Sequence, residues 1–248
     1  MIELKTAGQI ERMRKAGRIV AETLELMRGA VRPGVTTGEL DRLAEDYIRK
    51  CGAVPAFKGY NGFPATLCTS VNEQVVHGIP GLRKLQTGDI ISIDCGAVID
   101  GYFGDAAVTL PVGDIDPELQ HLLKVTEESL MLGIAQACKG RRLHDISHAV
   151  QMHVEKHGFS VVRDYVGHGI GKAMHEQPQV PNFGKPGRGP RLEVGMVLAI
   201  EPMVNAGTWE VKVLEDRWTV MTKDSKASAH FEHTVAVTEN GPDILTRC

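Results

Sequence analysis

The sequence predicts an α+β fold built from two related α-α-β halves, about 1–114 and 115–248, joined in one sheet with helices on one face. Three observations predict it. Gly34 and Gly52 bracket a helix-like stretch, and Gly140 and Gly158 bracket another, each pair 18 residues apart. A further glycine then opens an apolar run in each half, Gly88 in the first and Gly195 in the second. Each run ends on a carboxylate six residues on: GDIISID reaches Asp94 and GMVLAIE reaches Glu201. With 27 glycines in the chain, chance spacing is the competing explanation. No linker composition separates the halves, so a single domain with a site at their junction is expected.

Ile10, Met13, Ile19, Val20, Leu24 and Met27 recur with helical spacing, predicting a helix over residues 9–28. A turn at Pro33-Gly34 leads to a second helix, Thr36 to Lys50, which Gly52 stops. β-Branched runs predict strands at Thr66 to Val71, Ile90 to Ile93 and Val108 to Leu110. Asp116-Pro117 is an N-cap followed by a proline in the first helical turn, predicting a helix to about Cys138. Leu143 to Lys156 reads as the fourth helix. Strands are expected at Ser160 to Val166, Met196 to Ile200, Trp218 to Thr222 and Phe231 to Val237, with Pro178 to Pro190 as a surface loop.

Composition narrows the classes. Lys+Arg 28 against Asp+Glu 31 leaves a net charge of −3, so a broad nucleic-acid-binding face is not expected. No apolar run reaches the ~18 residues of a membrane span. The polar start MIELKTAGQIERMRK lacks a signal-peptide pattern. Five scattered cysteines with no CxxC pair fit a reducing cytoplasm rather than a disulfide framework.

The chemistry gathers on a few residues. Asp94 follows the apolar IISI, and Asp105 lies beyond Gly101-Tyr102-Phe103-Gly104, where a hairpin would return it beside Asp94. By themselves the two also read as a turn and a capping aspartate. His168 stands between glycines in VGHGIGKAMHEQP, with His175 seven residues on; alone, the pair also reads as loop or core histidines. Glu201 ends an apolar strand and Glu232 begins one, and neither has a basic neighbour to form a buried ion pair. Taken together, four carboxylates at apolar strand ends would repel one another unless cations neutralise them. Two divalent ions satisfy that requirement. Oxygen-rich ligation with one imidazole suits manganese, iron, cobalt or zinc.

Several motifs, in order along essentially the whole chain, carry a family resemblance: FKGYNGFPATLCTSVNEQVVHGIP at 57–80, GDIISIDCGA at 88–97, GYFGDAAVTL at 101–110, VGHGIG at 166–171, EPM at 201–203 and HFEHTVAVTENG at 230–241. The sequence resembles the short bacterial type I methionine aminopeptidases. The resemblance implies the pita-bread fold, with a curved, antiparallel-rich sheet and helices on its outer face. It implies two divalent metal ions per chain (cobalt, manganese, iron or zinc), held by Asp94, Asp105, His168, Glu201 and Glu232, with Asp105 and Glu232 shared between them. It implies His77 and His175 as catalytic, substrate-contacting histidines and Glu201 as the group that handles the proton of the attacking water. The methionine pocket falls on Tyr60, Phe63, Cys68 and Trp218. At the pocket position before His175 the family commonly has Phe, where this chain has Met174. The implied activity is removal of the initiator methionine from peptides and nascent chains whose second residue is small, by a cytoplasmic monomer. Transient contact with the ribosome suits that role, although no basic run marks a docking surface. An X-Pro hydrolase of the same fold, and a pita-bread pseudo-enzyme that binds ribosomes, peptides or RNA without metal-dependent hydrolysis, are the competing readings.

Overall fold

The computed structural model describes residues 2–248. The chain runs α1 (Ala7–Ala30), α2 (Thr37–Lys50), β1 (Val54–Pro55), β2 (Leu67–Val71), β3 (Gln74–Val76), β4 (Ile90–Ile99), β5 (Tyr102–Pro111), α3 (Pro117–Ile134) and α4 (Leu143–Lys156). It continues through β6 (Ser160–Val161), β7 (Gly167–Gly169), β8 (Glu176–Val180), β9 (Val197–Ile200), β10 (Met203–Asn205), β11 (Val211–Val213), β12 (Val220–Thr222), β13 (Ser228–His230), β14 (His233–Thr238) and β15 (Gly241–Ile244). A single 3₁₀ turn lies at Tyr60–Gly62.

Local chemistry sets the helix starts. Thr6 and Gln9 cap α1 reciprocally, and Thr36 and Glu39 do the same for α2, so two otherwise orphaned backbone N–H groups are satisfied at each end. Asp116 accepts from the Glu118 N–H, and Pro117 occupies the first turn of α3. The Asp145 side chain accepts from the Arg142 N–H at the start of α4. Gly52 and Gly158 take φ of +76° and +82° just past α2 and α4, a conformation that would strain a residue with a Cβ.

Every ladder is antiparallel. The hairpin β4–β5 pairs over ten residues, and β1 and β2 add to β4. In the second half the order is β15-β14-β9-β7-β8. Two three-stranded sheets, β13-β10-β6 and β11-β12-β3, complete the set. Hydrogen bonding therefore divides the expected continuous sheet into four pieces. The halves join at β3–β12 and at an isolated bridge, where the Glu232 N–H donates to the Ala107 carbonyl at 2.9 Å. Beside that bridge the Thr234 hydroxyl donates to the Asp105 carbonyl at 2.7 Å.

Several boundaries differ from expectation for physical reasons. The strand expected over Ser160 to Val166 ends at Val161, because exposed Arg163 and Asp164 turn the chain out before it re-enters as β7. Val108 to Leu110 is the end of a ten-residue strand that begins at Tyr102; its early residues include two alanines and a glycine, which carry little β signal. The helix α3 stops at Ile134, short of Cys138. The expected surface loop begins inside β8, with Pro178 and Val180 buried. The strands β1, β3, β10, β11, β13 and β15 have two to four residues each, too few for periodicity to reveal.

The helix α1 lies directly on the sheet. An added Cβ on Gly17 would fall 2.3 Å from the Leu245 carbonyl oxygen, and one on Gly104 of β5 would fall 2.7 Å from the Gly17 nitrogen. Leu24, Met27, Leu40, Ile48, Leu67, Ile91, Ile93 and Val108 fill the core between this helical layer and β4–β5. Gly17→Ala forces backbone apart at a contact that side-chain rotation cannot relieve. It should cost about 1–3 kcal/mol, read as a lower midpoint in urea unfolding, whereas Gly29→Ala, with open space around it, should be neutral or stabilising.

Candidate metal centre and active site

The register of the central hairpin brings the first two carboxylates together. Asp94 pairs with Ala107 and Asp105 with Gly96, so the two side chains share one face of β4–β5 diagonally. His168 sits in β7 opposite Ala199 of β9, and Glu201 follows the last residue of that strand. Glu232 is placed against β5 by its bridge to Ala107. The imidazole Nε2 of His168 lies 3.8 Å from Asp105 Oδ2 and 3.6 Å from Glu201 Oε1. Ligand atoms of Asp105, His168 and Glu232 lie within 4.8 Å of one another, as do those of Glu201, His230 and Glu232.

All twelve residues singled out in the sequence line one cavity of about 190 Å³: Tyr60, Phe63, Cys68, His77, Asp94, Asp105, His168, Met174, His175, Glu201, Trp218 and Glu232. Phe57 and Asn61 line it too and went unnoticed, although they lie in the same FKGYNGF run as Tyr60 and Phe63. His230 is the third residue missed. It is 1% exposed, its Nε2 has no hydrogen-bond partner, and it lies 3.5 Å from Glu201 Oε2. It ends β13, two residues before the isolated bridge at Glu232, and its signal in the sequence was a histidine beside that acid in HFEH.

Electrostatics at this cluster are extreme. Burial pushes the Asp94, Asp105, Glu201 and Glu232 carboxyls above the usual carboxylate range, and mutual repulsion adds to the rise at Asp105 and Glu232. Among the described residues no Lys or Arg forms an ion pair with any of them. Asp94 Oδ1, Asp105 Oδ1 and Glu232 Oε1 are buried without a hydrogen-bond partner. Oxygen atoms left so in native proteins call for an ion, a water or a proton. The donor set fits divalent cations. The Nδ1 of His168 lies 2.9 Å from the Gly169 carbonyl; with Nδ1–H donating there, the Nε2 lone pair faces the carboxylates.

The remaining residues form a wall and a rim. Phe63 and Trp218 meet edge to face with centroids 5.1 Å apart, and Met174 and Cys68 are buried beside them. Gly96 keeps that wall open: a Cβ there would lie 2.7 Å from Phe57 Cε1 and 3.0 Å from Met174 Cε. Tyr60 stands at the rim with its hydroxyl 2.8 Å from His175 Nδ1. The rings of His168 and His175 are 4.3 Å apart. His77 takes φ +60°, and burial holds its imidazole down to about 4, so it is neutral at pH 7.

A buried carboxylate–imidazole cluster beside an apolar slot, in a duplicated α+β scaffold, defines a metal-dependent hydrolase. Residues 11–239 match metallopeptidase family M24, and the chain belongs to that family. It is 59% identical to a methionine aminopeptidase of Clostridium acetobutylicum over 249 residues, covering 100% of both chains. The crystal structure of methionine aminopeptidase from Thermotoga maritima superposes with a TM-score of 0.98 at 50% identity, covering 100% of both. An Xaa-Pro dipeptidase from Bacillus anthracis shares the fold at a TM-score of 0.79 and 22% identity, this chain covering 62% of that one.

The shifted carboxyls bind protons more tightly in the folded state than in the unfolded one. Without metal, stability is therefore lost as pH rises from their unfolded values near 4 through the folded ones, up to about 8 at Glu201. His77 and His168, held down to about 4, act in the opposite sense, but only below an unfolded value near 6.5. Between about pH 6.5 and 8 that opposing contribution fades as the unfolded imidazoles lose their protons, and the raised carboxyls set the sign of the slope. The melting temperature of chelated protein should fall across that window, while manganese-loaded protein should hold steady because the ion replaces the protons. Scanning fluorimetry at matched ionic strength reads the two curves; parallel lines would contradict the assignment.

Proposed function

We propose that this metallopeptidase removes N-terminal methionine from peptides and nascent chains whose second residue is small. The observation that carries the reading is the meeting of the acidic cluster, His77, His175 and an apolar slot in one cavity. That slot, walled by Phe63, Cys68, Met174 and Trp218 with Tyr60 at its rim, suits a flexible thioether. Full-length identity to a methionine aminopeptidase supports the same substrate.

In this reading Asp94, Asp105, His168, Glu201 and Glu232 would hold two divalent ions per chain, of cobalt, manganese, iron or zinc: Asp94 would serve one, His168 and Glu201 the other, and Asp105 and Glu232 would contribute to both. Bound ions supply Lewis-acid activation of water and of the scissile carbonyl. Glu201 takes the proton of the attacking water on its carboxylate and returns it to the departing amine. The Tyr60 hydroxyl engages His175 Nδ1 and leaves Nε2 to donate to the scissile carbonyl oxygen as charge develops there. Neutral His77 hydrogen-bonds the scissile nitrogen.

A single-domain monomer working in a reducing cytoplasm, brought transiently to the ribosome by its nascent substrates, belongs to this reading. No described helix is long and apolar enough to cross a membrane. Release of methionine from Met-Ala-Ser, followed through chelation and stepwise return of cobalt or manganese, tests the reading. Asp105→Ala should abolish turnover. Turnover of Gly-Pro and Ala-Pro-Ala with Met-Ala-Ser untouched would replace the reading by an X-Pro hydrolase, and no metal-dependent hydrolysis at all would leave a binding protein. Tyr60→Phe should lower kcat by about 10-fold with a smaller change in KM, because it frees the His175 ring without emptying the slot.

A further inference from the structure

The loop that carries Met174 and His175 has little packing of its own. Lys172, Ala173 and His175 are exposed, and only Met174 is buried. Beyond the Gly171 N–H to Ala173 carbonyl bond at 3.2 Å and the Phe103 N–H to Gly171 carbonyl bond at 2.9 Å, its shape comes from one side chain. Glu176 Oε1 accepts the backbone N–H groups of Lys172 at 2.8 Å and Ala173 at 3.1 Å, folding the loop back onto the residue that ends it. The other oxygen, Oε2, accepts from the ammonium of Lys5. The Lys5 side chain is 2% exposed.

Lys5 is itself fixed from both directions. Its N–H donates to the Gly195 carbonyl at 2.7 Å, and its ammonium also donates to the Glu3 carbonyl at 3.2 Å. The next residue, Thr6, caps α1. The side chain crosses Gly171 so closely that a Cβ there would lie 2.4 Å from Lys5 Cε and 2.7 Å from Glu176 Oε1. The absence of a Cβ at Gly171 thus leaves room for an ion pair between Lys5 and the residue that follows His175.

A buried ion pair of this kind adds little net stability compared with two apolar side chains of the same volume, whereas removing one partner leaves the other charged and unsolvated. Its consequence here is geometric. Glu176 is the residue after His175, whose ring is otherwise held by the Tyr60 hydroxyl at Nδ1 and by the His168 ring 4.3 Å away. We propose that Lys5 is a positioning residue: through Glu176 it sets the 171–176 loop, and with it the placement of His175 and of the Met174 wall. The catalytic consequence rests on the role given to His175 above; the loop's conformation does not.

The test uses the metal-loaded full chain with Lys5→Met, Lys5→Met/Glu176→Gln and the unmodified protein. Tryptic cleavage after exposed Lys172, quantified by mass spectrometry, reads the loop without reference to activity. Lys5→Met should raise that rate at least about 10-fold and lower kcat for Met-Ala-Ser by about 10- to 100-fold. Metal affinity by calorimetry should stay within about threefold, since the cluster's carboxylates do not touch the pair. The double variant removes the stranded charge but keeps an oxygen for the two N–H groups, so it should recover most of both losses. Unchanged cleavage at Lys172 in Lys5→Met would overturn the inference. So would faster cleavage with unchanged kcat, or a kcat loss that tracks loss of metal affinity or that the double variant does not relieve. If the unmodified protein fails to cleave Met-Ala-Ser, the proposed function falls, while the proteolysis still decides whether Lys5 sets the loop.

Discussion

Four carboxylates share a buried space with no lysine or arginine among the described residues to neutralise them, and much of the structure answers to that fact. The strands that bring them together are among the most apolar in the chain, so water cannot screen the repulsion. Such a cluster is tolerable only when protonated or when cations take the place of protons. The same feature that makes the apo state costly makes the site a trap for hard, doubly charged ions. A conventional core would have placed valines there. The scaffold carries the cost because its two halves lock through β3–β12 and the bridge from Ala107 to Glu232.

That junction also explains why the acidic cluster needs both halves. Asp94 and Asp105 come from one hairpin, and His168, Glu201 and Glu232 from three separate segments of the other half. The Thr234 hydroxyl donates to the Asp105 carbonyl and accepts from the Asp105 N–H. One side chain of the second half therefore fixes the backbone of an acidic residue in the first. The cluster's carboxylates lie on strands or at their ends, whereas the histidine at the rim is carried by an exposed loop folded back onto the Glu176 carboxylate.

The secondary structure and the cluster were legible in the sequence to different depths. Helices were read to within a few residues because capping pairs such as Thr36–Glu39 and apolar spacing are local signals. The strand β4 was recognised from its apolar start but not to its length, since Cys95-Gly96-Ala97 carries little β signal. Motif order placed all twelve chosen residues at one cavity. His230 is not among them, because nothing in one dimension shows that its ring turns toward Glu201.

Helix positions, to within a few residues, and the acidic character of the cluster are written in local spacing and in charge set among apolar residues, so one dimension sufficed for them. Tertiary structure alone decided the division of the sheet into four hydrogen-bonded pieces, the diagonal placement of Asp94 and Asp105, and the reach of Lys5 across 171 positions to Glu176. Those depend on strand register and close backbone approach. Both are collective properties of packing between segments that no local pattern encodes.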